Sequence, residues 1–489
     1  MPDKLTQEKE LLREIASRPP LRKAWGYFKL SGPGLFQTGM TLGAGSAAAS
    51  VVAGASFGYK LLWVQPVAMF LGIMMFAALA NVVLTTKERP YKGFMRELSP
   101  AGFLVFLWAF GSVVASIVWH FPQYGLAAGA VRSIVQEFAP HWQLVQDGTT
   151  HFTLLGYVVS FIAGLLLLAI NVTVVFNYGR GGMGIRVYER FMHGLISLVL
   201  LTFLLVVAMN VHKIEWLEMF KGFIGWYGIP QHEDPEEYAK TVTMVLGMIG
   251  AAIGINMTFM YPYSLLKKGW GPEHRTLAKW DLGLALLVPF AIITSLVMVG
   301  MTVSGIYDMS DIVNNTIKPI DAAKALQTDW IPSWVATVIF CGGLFGMACG
   351  AVAAHMTCCG FVMCEMFGME HTKWNFRLCS LTPSIGFFGV VIGLPLWFPI
   401  AASAICLTVL PIAYLIFLIM NNKRSYIGDA VGKGWKRIVF NTLLVLALLM
   451  ATIGASIQIK IKVIDSIFPP TVQRVVEETV VQCAANEMR

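Results

Sequence analysis

The chain has 489 residues, 56% of them hydrophobic and 13% charged, about half the charged share of a soluble globular chain. Its apolar residues run in blocks long enough to cross a bilayer, which excludes a soluble enzyme and implies a polytopic membrane protein. The net charge of +8 is explained by Lys and Arg gathered on one side of a membrane, with some attraction to anionic lipid, rather than by a nucleic-acid surface.

Residues 1–28 are rich in Lys, Arg and Glu and hold no apolar run. They predict no cleavable signal peptide but a cytoplasmic amphipathic helix ended by Pro19-Pro20. A domain over 29–457 follows, with eleven expected spans near 29–56, 61–85, 101–133, 153–176, 187–211, 241–267, 278–304, 332–362, 376–394, 398–420 and 437–457. Each is close to the roughly 20 residues that cross hydrocarbon. With the N-terminus inside, Lys and Arg crowd the cytoplasmic segments, while the outer loops at 212–240 and 306–330 are acidic. The positive-inside rule therefore predicts a multi-pass protein of the plasma or inner membrane, with residues 458–489 as an extracytoplasmic tail. The eight cysteines fall almost wholly in apolar segments, so no disulfide framework is expected.

Two spans are interrupted at corresponding places in two five-helix halves, 29–211 and 241–420. Span 1 carries Gly43-Ala44-Gly45-Ser46, and span 6 carries Met260-Tyr261-Pro262-Tyr263. Unpaired backbone within a bilayer is tolerated only where protein or a water-filled cavity satisfies it. Matched interruptions in two halves point to a transporter site at the bilayer midplane.

These residues resemble the Nramp family of divalent metal transporters. "SGPGLF" at 31–36 is similar to the family's opening of span 1, and "AGASFGYKLLWV" at 53–64 to its junction of spans 1 and 2. "EWLEMFKGFIG" before Pro230, "GLFGMACGAV" with "GFVMCEMFG" at 360–368, and "LPIAYLIFLIMNNKRSYIG" at 410–428 are similar to later family segments. The resemblance implies an all-α, LeuT-like fold of eleven transmembrane helices. Two inverted five-helix repeats (spans 1–5 and 6–10) and an extra helix at 437–457 would work by alternating access. It implies no enzyme activity and no cofactor. "WHFPQY" and "PYSLLKKGWGPEHR" look more like the Nramp-related magnesium transporters than the Mn/Fe branch.

The departures bear on the substrate. By register the family's Asp-Pro-Gly-Asn metal motif falls on Gly43, Ala44, Gly45 and Ser46. Its Met-Pro-His falls on Tyr261, Pro262 and Tyr263, its acidic pair in span 3 on Trp119 and Pro122, and its span 10 glutamine region on Ser403. The usual metal ligands are thus replaced by Gly43, Ser46 and Tyr261, so the metal ligands stay undefined. The substrate-binding residues expected are Thr41, Gly43, Ala44, Gly45, Ser46, Trp119, Gln123, Met260, Tyr261, Tyr263 and Ser403. His120 and His355 are candidates for a proton or polar relay. No Asp or Glu falls in mid-span; Glu189, Asp281 and Glu365 sit at span ends.

A bare dication needs charged or several hard oxygen ligands to replace its water. Three readings stay open: a cation that keeps most of its water, such as Mg²⁺; a complexed metal or small organic or anionic solute; and a ligand-binding protein that moves nothing. With few titratable groups inside the bundle, weak or absent proton coupling is expected. "HMTCCGFVMC" places His355, Cys358 and Cys359 on one helix face, where they either bind a soft metal or pack as small apolar groups. The expected partners are a small solute or metal ion and the lipid bilayer, with no nucleic acid, and the chain is expected to be a monomer.

Overall fold

The structure is a computed structural model that describes residues 4–145, 152–177, 194, 197, 201, 204–305, 322–327, 330–391 and 398–461. Among these it is helical, with a single isolated bridge between Val145 and Phe152. The N-terminal segment forms α1 (Lys4–Ser17) and α2 (Pro20–Leu30). Proline disfavours helical backbone before it, so α1 stops ahead of Pro19 and Pro20, while Pro20 opens α2. Gly26 lets the two helices pack, since a Cβ there would lie 2.9 Å from Ile15.

The remaining helices, in chain order, are α3 (Pro33–Thr41), α4 (Ala44–Phe57), α5 (Val64–Thr86), α6 (Pro90–Glu97), α7 (Gly102–Phe138) and α8 (Leu154–Asn177). After these come α9 (Trp216–Phe223), α10 (Pro235–Ala252), α11 (Met257–Lys268), α12 (Arg275–Trp280) and α13 (Val288–Ser304). The series closes with α14 (Ser333–Met366), α15 (Lys373–Ser380), α16 (Phe398–Leu407), α17 (Leu410–Asn422), α18 (Arg424–Ile427) and α19 (Gly434–Ile459). Among the described residues, eight helices are long and apolar enough to cross a membrane. Of the eleven expected spans, the first is split into α3 and α4. The fifth, 187–211, lies mostly outside the described residues, as do Glu189, the loop at 306–321 and the tail from 462.

The ninth span, expected over 376–394, is not one long helix. It is α15 followed by a 3₁₀ segment, Thr382–Val390. Three residues per 3₁₀ turn place Gly386 and Gly389 on one edge, and that edge lies on the backbone of α7. A Cβ at Gly386 would lie 2.2 Å from the His120 Cβ, and one at Gly389 would lie 2.1 Å from the Phe121 carbonyl oxygen. Close approach of bare glycines is how membrane helices gain packing without a hydrophobic driving force.

Burial orders the bundle. The apolar window of α10–α11 is 89% buried, against 33% for α8 and 28% for α19, so the interrupted sixth span is central and the last helix is peripheral. Trp108 of α7 anchors this centre. It is fully buried, stacks on Phe259 at 4.2 Å and donates its indole N–H to Thr258 at 2.7 Å.

The Gly-Pro-Gly stretch has a structural purpose. Pro33 opens α3, and the buried Asp281 carboxylate accepts from the backbone N–H groups of Gly32 (3.1 Å) and Gly34 (2.6 Å). A Cβ at Gly34 would sit 2.9 Å from that carboxylate, so only glycine admits it. Asp281 therefore caps α3 from the seventh span, at the helix end whose N–H groups have no partner of their own. Asp281→Ala should cost about 3–6 kcal/mol, the scale of two hydrogen bonds to a carboxylate. A clear fall in Tm in detergent would show it, and an unchanged Tm would refute the capping role.

Candidate functional site

The two interrupted spans meet at a small cavity. α3 ends at Thr41 and α4 begins at Ala44, with Gly43 as its extended N-cap. In span 6 the break is at Ile253-Gly254-Ile255-Asn256, between α10 and α11. This corrects the expected break at Met260-Tyr261-Pro262-Tyr263, which is helical throughout. Pro262 falls in the second turn of α11, where its missing N–H removes one donor from the helix ladder but does not stop a helix already started. Gly254 is the breaker. A Cβ there would lie 2.2 Å from Asn256 Oδ1, so the bare glycine lets the Asn256 side chain fold back.

One side chain ties the two breaks together. The Ser46 hydroxyl is in hydrogen-bonding contact with the Thr41 carbonyl and lies 3.1 Å from the Ala251 carbonyl. Both are carbonyls at helix C-terminal ends, which helices leave unpaired. Asn256 reaches span 3, donating from Nδ2 to Ser116 Oγ at 3.3 Å. Its backbone carbonyl accepts from the Cys358 thiol at 3.3 Å.

The cavity is lined by Met40, Gly43, Gly45, Ser46, Trp119, Gln123, Gly250, Ala251, Gly254, Asn256, Met257, Ala351 and His355. Its volume is about 30 Å³, room for about two groups the size of a water or a small ion. Of the residues expected from sequence, it gathers Gly43, Gly45, Ser46, Trp119, Gln123 and His355. Trp119 lies on the bare face of Gly45, whose Cβ would fall 2.4 Å from the indole ring. Ala44 opens α4 at the break.

The other expected residues lie elsewhere. Thr41 donates back to the Gln37 carbonyl at 2.7 Å, and Ser403 to the Pro399 carbonyl at 2.6 Å. Ser403 stands behind the cavity, its carbonyl 2.3 Å from where a Gly250 Cβ would be. Met260 is buried, and Tyr261 is fully buried against Phe76 at 5.1 Å. His120 lies behind the wall, its ring 5.4 Å from that of His355.

Tyr263 belongs to a separate cluster. It stacks on Phe361 at 4.5 Å and donates to Glu365 Oε1 at 2.7 Å. The same oxygen accepts from His371 at 2.8 Å and Arg89 at 3.2 Å. Glu365, buried at the end of α14, so ties α11 to the segments on either side of the long spans.

Sequence reasoning missed Asn256 and Met257 as lining residues because it placed the break at the proline. The available signal was the Ile-Gly-Ile-Asn run, a glycine among β-branched residues that are poor helix formers. Among the described residues the cavity wall carries no carboxylate, and no cluster of three His, Cys, Asp or Glu could hold a metal.

A family profile described as natural resistance-associated macrophage protein-like, Nramp, matches residues 34–457. The chain belongs to the Nramp family. That family comprises metal-ion transporters of the membrane, not enzymes. This Nramp chain is 23% identical over 405 residues to the divalent metal cation transporter MntH of Klebsiella pneumoniae, covering 81% of this chain and 86% of that protein. Its fold is similar to that of a mutant manganese transporter of Eremococcus coleocola, with TM-score 0.64 at 15% identity, covering 96% of this chain and 94% of the other. It is also similar to MhsT in complex with L-phenylalanine, with TM-score 0.59 at 14% identity over 86% and 98% of the two chains. These likenesses place the Nramp chain in the LeuT-like fold.

Proposed function

We propose that this Nramp-family protein moves a divalent cation that keeps part of its water shell, Mg²⁺ being the class that fits, with weak or no proton coupling. Eleven spans in two inverted five-helix repeats plus one helix would carry it by alternating access, as a monomer in the plasma or inner membrane with the N-terminus in the cytoplasm. The carrying observation is the wall itself: where the two broken helices meet, Ser46, Gln123 and Asn256 offer neutral oxygen and no carboxylate. A bare dication is poorly compensated there, whereas Mg²⁺ surrenders its waters reluctantly and is held through them. Carbonyl ends of half-helices add partial negative charge.

The nearby carboxylates are committed elsewhere, Asp281 to the start of α3 and Glu365 to Arg89, Tyr263 and His371. A proton carrier beside the cation would have to be an imidazole, and a protonated imidazole repels a dication in the same cavity. A small organic solute fits less well, since such sites occupy on the order of 300–1,000 Å³ and this cavity about 30 Å³.

Uptake into proteoliposomes of Mg²⁺, Mn²⁺, Ca²⁺ and a metal chelate tests the reading. Mg²⁺ uptake without acidification of the lumen is expected. Micromolar Mn²⁺ affinity, or uptake that acidifies the lumen, would overturn it.

A further inference from the structure

His355 lines the cavity and His120 stands behind it, their rings 5.4 Å apart, and the transport reading uses neither as a ligand. His120 Nδ1 lies 2.9 Å from the Ser116 carbonyl. A carbonyl only accepts, so Nδ1 carries the proton and the neutral ring leaves Nε2 as a bare lone pair. That Nε2 is buried without a hydrogen-bond partner among the described residues, and so are His355 Nδ1 and Gln123 Oε1. Gln123 follows His120 by three positions on α7, which sets both on one helix face. Buried polar atoms are ordinarily paired, and here three of them stand unpaired in one neighbourhood.

The spacing suits a shared ion. Zn–N bonds are about 2.0–2.1 Å, so two imidazoles on one tetrahedral ion hold their ring centres about 5 Å apart. The rings stand 5.4 Å apart with planes at 46°. Trp119 closes one side, its ring 6.3 Å from His355. The cysteines one turn along α14 do not join the set. Cys358 already donates to the Asn256 carbonyl, and no third His, Cys, Asp or Glu completes a cluster among the described residues.

The geometry points to a second metal site, in which a borderline transition-metal ion of the Zn²⁺ class binds His120 Nε2, His355 Nδ1 and Gln123 Oε1, with water completing the shell. Imidazole nitrogen suits such ions and does not suit Mg²⁺. His355 and Gln123 both line the cavity, so the bound ion sits against the cargo position, takes the Gln123 oxygen from the cargo and repels a second dication. The site therefore inhibits passage of the hard cation and rests on the transport reading only for that consequence.

The test uses the purified full-length protein. Zn²⁺ is titrated by calorimetry, and Co²⁺ by the intense visible bands of its four-coordinate form. His120→Asn and His355→Ala should each weaken Zn²⁺ binding by at least about tenfold, 1.4 kcal/mol, and Gln123→Ala should weaken it less. Thermal unfolding of each variant separates lost binding from lost fold. In proteoliposomes, Zn²⁺ should inhibit Mg²⁺ uptake, and His120→Asn should need about tenfold more of it. Absence of Zn²⁺ binding by the wild type, or binding that both histidine variants leave intact, would overturn the proposal. Histidine-dependent Zn²⁺ binding without any Mg²⁺ uptake would sustain this site and sink the transport reading.

Discussion

Gly43→Asp should raise Mn²⁺ affinity by at least about tenfold, 1.4 kcal/mol, as measured by calorimetry on the purified protein. By the family register Gly43 stands where a coordinating aspartate is expected, and the structure puts it on the cavity wall. Its backbone, at φ −67 and ψ 173, is open to any residue. A Cβ would lie 3.0 Å from the Met40 carbonyl oxygen and 3.3 Å from the Ala351 Cβ, so the neighbours must yield by a few tenths of an ångström. A carboxylate there would supply the formal charge that the wall lacks, in a setting where charge is poorly screened. Gly43→Ala carries the same Cβ without the charge and should leave Mn²⁺ affinity unchanged. Equal affinities for the two variants would mean that Gly43 does not face the ion. Tyr261→Met, suggested by the same register, should add nothing, because Tyr261 packs against Phe76 outside the cavity.

The second large effect is expected at Glu365. Its side chain is fully buried, and one oxygen accepts from Arg89, Tyr263 and His371. Glu365→Ala leaves those donors without their acceptor and should cost about 3–5 kcal/mol, the range for breaking a buried pair from one side. Tyr263→Phe removes one hydrogen bond to a carboxylate and should cost about 1.5–3 kcal/mol. Because both residues act in one network, the double variant should cost less than the sum of the two. Thermal unfolding in detergent would read all three. Additive losses, or a Glu365→Ala protein as stable as wild type, would show that the cluster does not hold α11.

Most of the long helices were legible from hydropathy alone, because a bilayer admits few alternatives to a continuous apolar helix. The breaks were less legible. Gly43, Gly45 and Gly54 all lie within span 1, yet only Gly43 stands at the break. Gly45 admits Trp119, and Gly54 admits the backbone of Met298, whose carbonyl oxygen would be 2.4 Å from a Cβ. Close packing and helix breaking call for the same residue, so a glycine in sequence does not say which it serves. Pro262 misled for a related reason. Proline disrupts the interior of a helix but is tolerated near its start, and where α11 starts is decided by Gly254 and Asn256 upstream.

The order of the residues by itself determined that this is a membrane protein with apolar spans, an interrupted first span and no carboxylate in mid-span. These follow from local composition, and the cost of dry, unpaired backbone enforces them. Only the tertiary structure decided where the sixth span opens, that Asn256 and Met257 rather than Tyr261 and Tyr263 face the cavity, and that His120 stands opposite His355. Those facts depend on contacts between residues more than a hundred positions apart, such as Ser46 with Ala251 and Asn256 with Ser116. No pattern along one helix reports which distant helix will supply a partner.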